Sequence, residues 1–179
     1  MSDATAAEYE WLHQEFTDGA GDIWLCISFV QGLLPREVLR RIDVIPGTVG
    51  EFGVEAYAAD GGTALIDYGW GTSVNAAPRL LSSGTTMATV VANIKSDDLS
   101  LLVDGGLITK LCLYAYSFRH GEVPEHLLRH LQELGLDRDD LTEDPIPSAL
   151  AFASRATGVR FTRRHFAQDA LTGASDHLQ

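Results

Sequence analysis

Cysteine and lysine are scarce in this chain, which has only Cys26, Cys112, Lys95 and Lys110 of those types. Both cysteines sit in apolar, strand-like runs, which points to small buried hydrophobes in a reducing compartment and leaves one bridge between them open. Positive charge is short as well: 13 basic residues stand against 25 acidic ones, for a net charge of −12. Such a field repels phosphate backbones and excludes nucleic acid as the expected partner, while it steers a basic protein inward. No apolar run approaches the length of a membrane span; the longest, near Ile23 to Phe29, is interrupted by Ser28. The start, Met1 to Ala7, lacks the basic and apolar segments of a secretory signal, so the expected location is cytoplasmic. There is no GxxxxGKS/T loop and no GxSxG elbow around Ser82-Ser83-Gly84.

Against these absences stand two turn signals. Asp60-Gly61-Gly62 and Asp104-Gly105-Gly106 each lie between β-rich flanks, the pattern of a tight hairpin. They predict strands over 52–59 and 63–69, then 98–104 and 107–118, with a further strand at 85–94. Trp24 to Val30 is apolar on both alternating sides, as a central strand covered on both faces requires. Hairpin sheets lack the parallel crossover of nucleotide-binding folds, so Gly69-Trp70-Gly71 is no dinucleotide loop.

Helices flank these strands. Tyr9, Leu12 and Phe16 share one face of a helix over 4–17, and Pro35 opens a short one carrying Val38, Leu39 and Ile42. Pro124 opens another, with Leu127, Leu128, Leu131 and Leu134 on one side and Gly135 at its end; Pro147 to Thr157 repeats that ending with Gly158. Thr162 is a candidate N-cap for a last short helix. The expectation is a single α+β domain over 1–171, with about six mainly antiparallel strands covered by N- and C-terminal helices, and a polar tail at 172–179 that frays.

Chemistry-bearing constellations are few. His126 and His130 lie four apart on a predicted helix and form a weak metal pair, for Leu127 stands where the metalloprotease motif has its glutamate and no third ligand is identifiable. No catalytic residue and no cofactor is assigned. Two tryptophans are candidate partner anchors: Trp11, more than about 100° from its helix's apolar face, and Trp70 between two glycines. Asp137, Asp139, Asp140, Glu143 and Asp144 form an acidic loop. These features favour a non-enzymatic interaction module, such as an inhibitor, immunity-type or regulatory protein, that binds a more basic protein partner. The alternative is a small enzyme or ligand-binding domain with a pocket between sheet and helices, metal-dependent through His126 and His130.

Trp24 to Leu33 with Pro35 and Glu37-Val38-Leu39 resembles an uncharacterised actinobacterial family of domains of unknown function. Leu81-Ser82-Ser83-Gly84-Thr85, Asn93, Asp104-Gly105, Ala149-Leu150-Ala151 and Arg155-Ala156-Thr157-Gly158-Val159-Arg160 carry the likeness on. It spans most of residues 9–162 and departs at Tyr114-Ala115-Tyr116. What it implies is a shared fold, with no catalytic residue carried over.

Overall fold

Six of the seven residues of the first strand, β1 (Leu25–Gln31), are buried. A strand hidden on both faces has to lie inside a sheet with a layer on each side. In the computed structural model, which describes residues 3–69, 71, 76–140 and 143–179, β1 pairs antiparallel on one side with β3 (Gly62–Asp67) and on the other with β4 (Thr86–Asn93). The hairpin partner of β3 is β2 (Gly53–Ala59); β4 continues through β5 (Ser96–Val103) into β6 (Gly106–Cys112). Two short strands complete the sheet, β7 (His120–Gly121) and β8 (Leu171–Ala174), in the order β7-β6-β5-β4-β1-β3-β2-β8. Every pairing is antiparallel.

The sheet thus has eight strands where about six are expected. Both Asp-Gly signals are hairpins. At the second, Asp104 and Gly105 both have positive φ, 47° and 78°, the conformation whose twist matches paired strands. At the first, a Cβ on Gly61 would lie within contact distance of the Gly158 carbonyl, so a side chain there would displace the hairpin from the end of a helix. The strand expected over 107–118 stops at Cys112. There Ala115 N–H bonds back to the Cys112 carbonyl, and a 3-10 turn, Tyr116–Phe118, reverses the chain so that β7 can pair with Thr109 and Lys110.

The helix expected over 4–17 is split into a 3-10 turn, Ala6–Glu8, and α1 (Glu10–Glu15), with Tyr9 and Leu12 buried. The polar tail expected from residue 172 holds β8, whose pairing with β2 depends on backbone bonds, and Ser175 beyond it is fully buried.

One face of the sheet is covered by α1, α4 (Glu125–Glu133) and above all α5 (Ile146–Thr157). Nine of the twelve residues of α5 are buried, and Ala149, Ala151 and Ala153 let it approach β1 and β4 closely. Gly158, at φ 71°, ends it, and α6 (Arg163–Phe166) follows Thr162, whose N–H donates to His165 Nδ1 at 3.1 Å. On the opposite face, α2 (Pro35–Arg41) covers β2 and β3, while α3 (Pro78–Ser82) meets the ends of β4 and β5. Arg41 clamps the two helices, its Nη1 donating to the carbonyls of Leu80, Leu81 and Ser83 at 3.2, 3.2 and 2.7 Å. No described helix is long and apolar enough to cross a membrane.

Leu111 is 1% exposed in the cluster beneath α4 and α5. Replacing it with alanine removes buried methyl groups and leaves a cavity, so Leu111→Ala is expected to cost about 2–5 kcal/mol in urea denaturation. An unchanged midpoint would remove Leu111 from the core.

Candidate functional site

Asp144 organises the acidic loop. Its Oδ1 accepts the N–H of Ile146 at 2.9 Å, satisfying one of the orphan donors at the start of α5, and its Oδ2 lies 2.7 Å from His13 Nε2 on α1. Asp139 holds a second point, accepting the Ser117 N–H at 2.8 Å and docking the loop on the turn after β6. These bonds fix the ends of a segment that its composition describes only as solvated.

Between those anchors lies a concave basin of about 200 Å³, lined among others by Arg138, Asp140, Glu143, Asp144 and Ser148. Asp140 and Glu143 are exposed and form no hydrogen bond or ion pair among the described residues. Asp97, at the start of β5, belongs to the same electrostatic neighbourhood. Its carboxyl is pushed above its usual range by burial, with the charges of Asp144 and Asp98 adding to the effect. Tyr114 is raised by the same three kinds of contribution: burial, then Asp144, then Asp97. Tyr114 is 47% exposed and Phe118 81% exposed, and the Asp139–Ser117 bond brings their turn to the loop. The result is a surface of carboxylates beside two displayed aromatic rings, the residue types that seat basic and aliphatic side chains of a partner.

Five of the expected partner residues, Asp137, Asp139, Asp140, Glu143 and Asp144, therefore lie on one loop, with Asp139 and Asp144 also holding its shape. Sequence reading missed Tyr114, Phe118, Asp97 and His13. The two aromatics stand where an extended strand was expected, and His13 is 131 residues from its partner Asp144.

The tryptophans do not join this surface as a pair. Trp11 is half-buried, its ring 5.9 Å from that of Phe161 and 5.6 Å from that of Phe166, with the Arg163 guanidinium 5.6 Å from its centre. The flank it presents, far from the Tyr9 and Leu12 side, is the one on which α6 packs. Trp70 lies outside the described residues.

His126 is exposed on α4, whereas His130 is half-buried and faces Arg155, whose Nη1 lies 3.2 Å from His130 Nδ1 and 2.7 Å from Glu133 Oε2. Asp3, His130 and Glu133 do gather three ligand atoms within 4.8 Å of one another. The guanidinium among them supplies the positive charge that a cation would bring, and Arg155 Nε donates to the Ala4 carbonyl at 2.7 Å. The cluster fastens the N-terminal segment to α4 and α5. Both cysteines are free; Cys26 is buried, and burial drives its thiol pKa well up, with the Asp67 charge adding to the shift, while Cys112 is half-buried.

The fold and this surface define an α+β domain built on one open antiparallel sheet, with an acidic basin beside the helices of one face. Residues 66–174 match the model of a family of unknown function, DUF6461, and the chain belongs to that family. The match runs from the end of β3 through β8 and so includes the basin. No curated protein and no solved structure matches the chain.

An acid whose folded-state pKa is raised opposes folding when ionised and ceases to do so as pH falls through its titration. Asp97→Asn is therefore expected to raise the melting temperature at pH 7–8, with the gain shrinking as pH falls through the raised titration of Asp97 and gone once pH is below the usual carboxylate value of about 4. A gain independent of pH would mean that the charge at Asp97 is not its source.

Proposed function

We propose that this protein is a non-enzymatic interaction module, an inhibitor, immunity-type or regulatory protein, that binds a basic protein partner through the basin lined by Asp140, Glu143 and Asp144. What supports the reading most is geometric: Asp139 and Asp144 dock the acidic loop through their bonds to Ser117 and Ile146, and Asp140 and Glu143 stand exposed at its basin with no bond among the described residues. A partner's arginine or lysine placed in the basin pairs with the exposed carboxylates of Asp140 and Glu143. Tyr114 and Phe118 supply the apolar contact that charge alone lacks, since rim charges act chiefly on association rate while buried aromatic anchors set the lifetime of the complex. The net charge of −12 extends the attraction beyond contact distance.

The test uses the full chain as bait in an extract of its native host, beside the double variant Asp140→Lys, Glu143→Lys. Both positions are exposed and bonded to nothing among the described residues, so folding should be unchanged by circular dichroism. The expected outcome is a basic protein captured by the natural chain, released by about 0.5 M salt, and bound at least about tenfold more slowly by the variant. A partner retained equally by both chains, or indifferent to salt, contradicts the proposal.

A further inference from the structure

The sheet's second face carries a site of different character. Strand alternation sends Asp97, with Leu99 and Leu101, to the face under α1, α4 and α5 and Asp98 to the opposite side, where Met87, Thr89 and Leu102 are buried, Val91, Asp98 and Ser100 half-buried, and Leu107 and Lys110 exposed. The registers align their residues in rows about 4.8 Å apart from strand to strand. Met87, Leu102 and Leu107 form an apolar row. Thr89, Ser100 and Lys110 form the next, and Val91 beside Asp98 begins a third. These side chains line a cavity of about 240 Å³. That is below the roughly 300–1,000 Å³ of drug-sized sites and suits a single small metabolite.

Its charges come as a pair. Lys110 Nζ lies 3.0 Å from Asp98 Oδ2, with the side chains 48% and 19% exposed. Thr89 is spoken for, its Oγ1 lying 2.7 Å from Ser28 Oγ in the buried centre of the face. The Ser100 hydroxyl, next to Lys110 in register, makes no hydrogen bond among the described residues and is free to donate to an incoming carboxylate. An occupant of single charge gains one partner here and is repelled by the other. A zwitterion whose ammonium and carboxylate share one carbon opens the pair and satisfies both halves, ammonium on Asp98 and carboxylate on Lys110 and Ser100. The apolar row then receives whatever that carbon carries. We propose that this groove binds a free α-amino acid with an apolar side chain.

Titration calorimetry of the full chain with L-leucine, L-methionine and L-phenylalanine tests this, against leucinamide, which lacks the carboxylate, and 4-methylpentanoate, which lacks the amine. Saturable binding of at least one of the three amino acids is expected, with the two leucine analogues at least about tenfold weaker than leucine. Lys110→Gln and Asp98→Asn should each weaken the amino acid by a similar factor, with far-UV circular dichroism checking that each variant keeps the fold. The panel on the natural chain decides even if a variant misfolds. No saturation by any apolar amino acid up to about 10 mM, or amide and acid binding as well as the zwitterion, overturns the proposal.

Discussion

Everything in this fold is referred to β1, because a strand buried on both faces has to satisfy two different layers with alternate residues of one short segment. Leu25, Ile27 and Phe29 belong to the layer under α5, and Cys26 and Val30 to the layer under α2 and α3. Ser28 shares the second side but is polar, and its burial is tolerable only because Thr89 on β4 meets it at 2.7 Å. That bond also fixes the register of β1 on β4, and a slip of one residue would send every apolar side chain to the wrong face. Through β4 the same register sets β5 and β6, and hence which of Asp97 and Asp98 faces which side.

The two layers differ in how they treat the sheet. Under α5 the aromatic residues Tyr9, Phe29, Phe152 and Phe161 are fully buried. Burial there holds α1, α4 and α5 together at the end where the acidic loop is docked. On the other side the two described helices are short, and among the described residues β4–β6 carry hydroxyls and an ion pair beside the buried Met87 and Leu102. The protein thus has one face that stabilises and one that is half available, with the acidic basin at the edge of the first.

Much of this is legible in the sequence wherever the signal is local. The Asp-Gly turns, the glycine after α5 and the leucine stripe of α4 depend on backbone conformation and periodicity within a few residues. What escapes is set by distant contacts. Neither β7 nor β8 has enough apolar residues to announce itself, since each joins the sheet by backbone pairing to a neighbour already in place. Trp11 reads as displayed on its own helix and is sheltered by Phe161 and Phe166, 150 or more residues away. The acidic loop is visible as composition, but its shape depends on Ser117 and His13, and the aromatics beside it look like the continuation of a strand.

The central functional claim is that the acidic loop is a docked, shaped surface, held by Asp139 and Asp144, so that Asp140 and Glu143 are presented in a fixed place. Amide hydrogen exchange at Ser117 and Ile146 tests it most directly, because their N–H groups donate to those two carboxylates and the first N–H groups of a helix otherwise lack partners. Both amides should exchange at least about tenfold more slowly than unbonded loop amides, and Asp139→Ala and Asp144→Ala should each abolish protection at its own donor alone. Fast exchange at both sites in the natural chain would mean that the loop is merely solvated and would contradict the account.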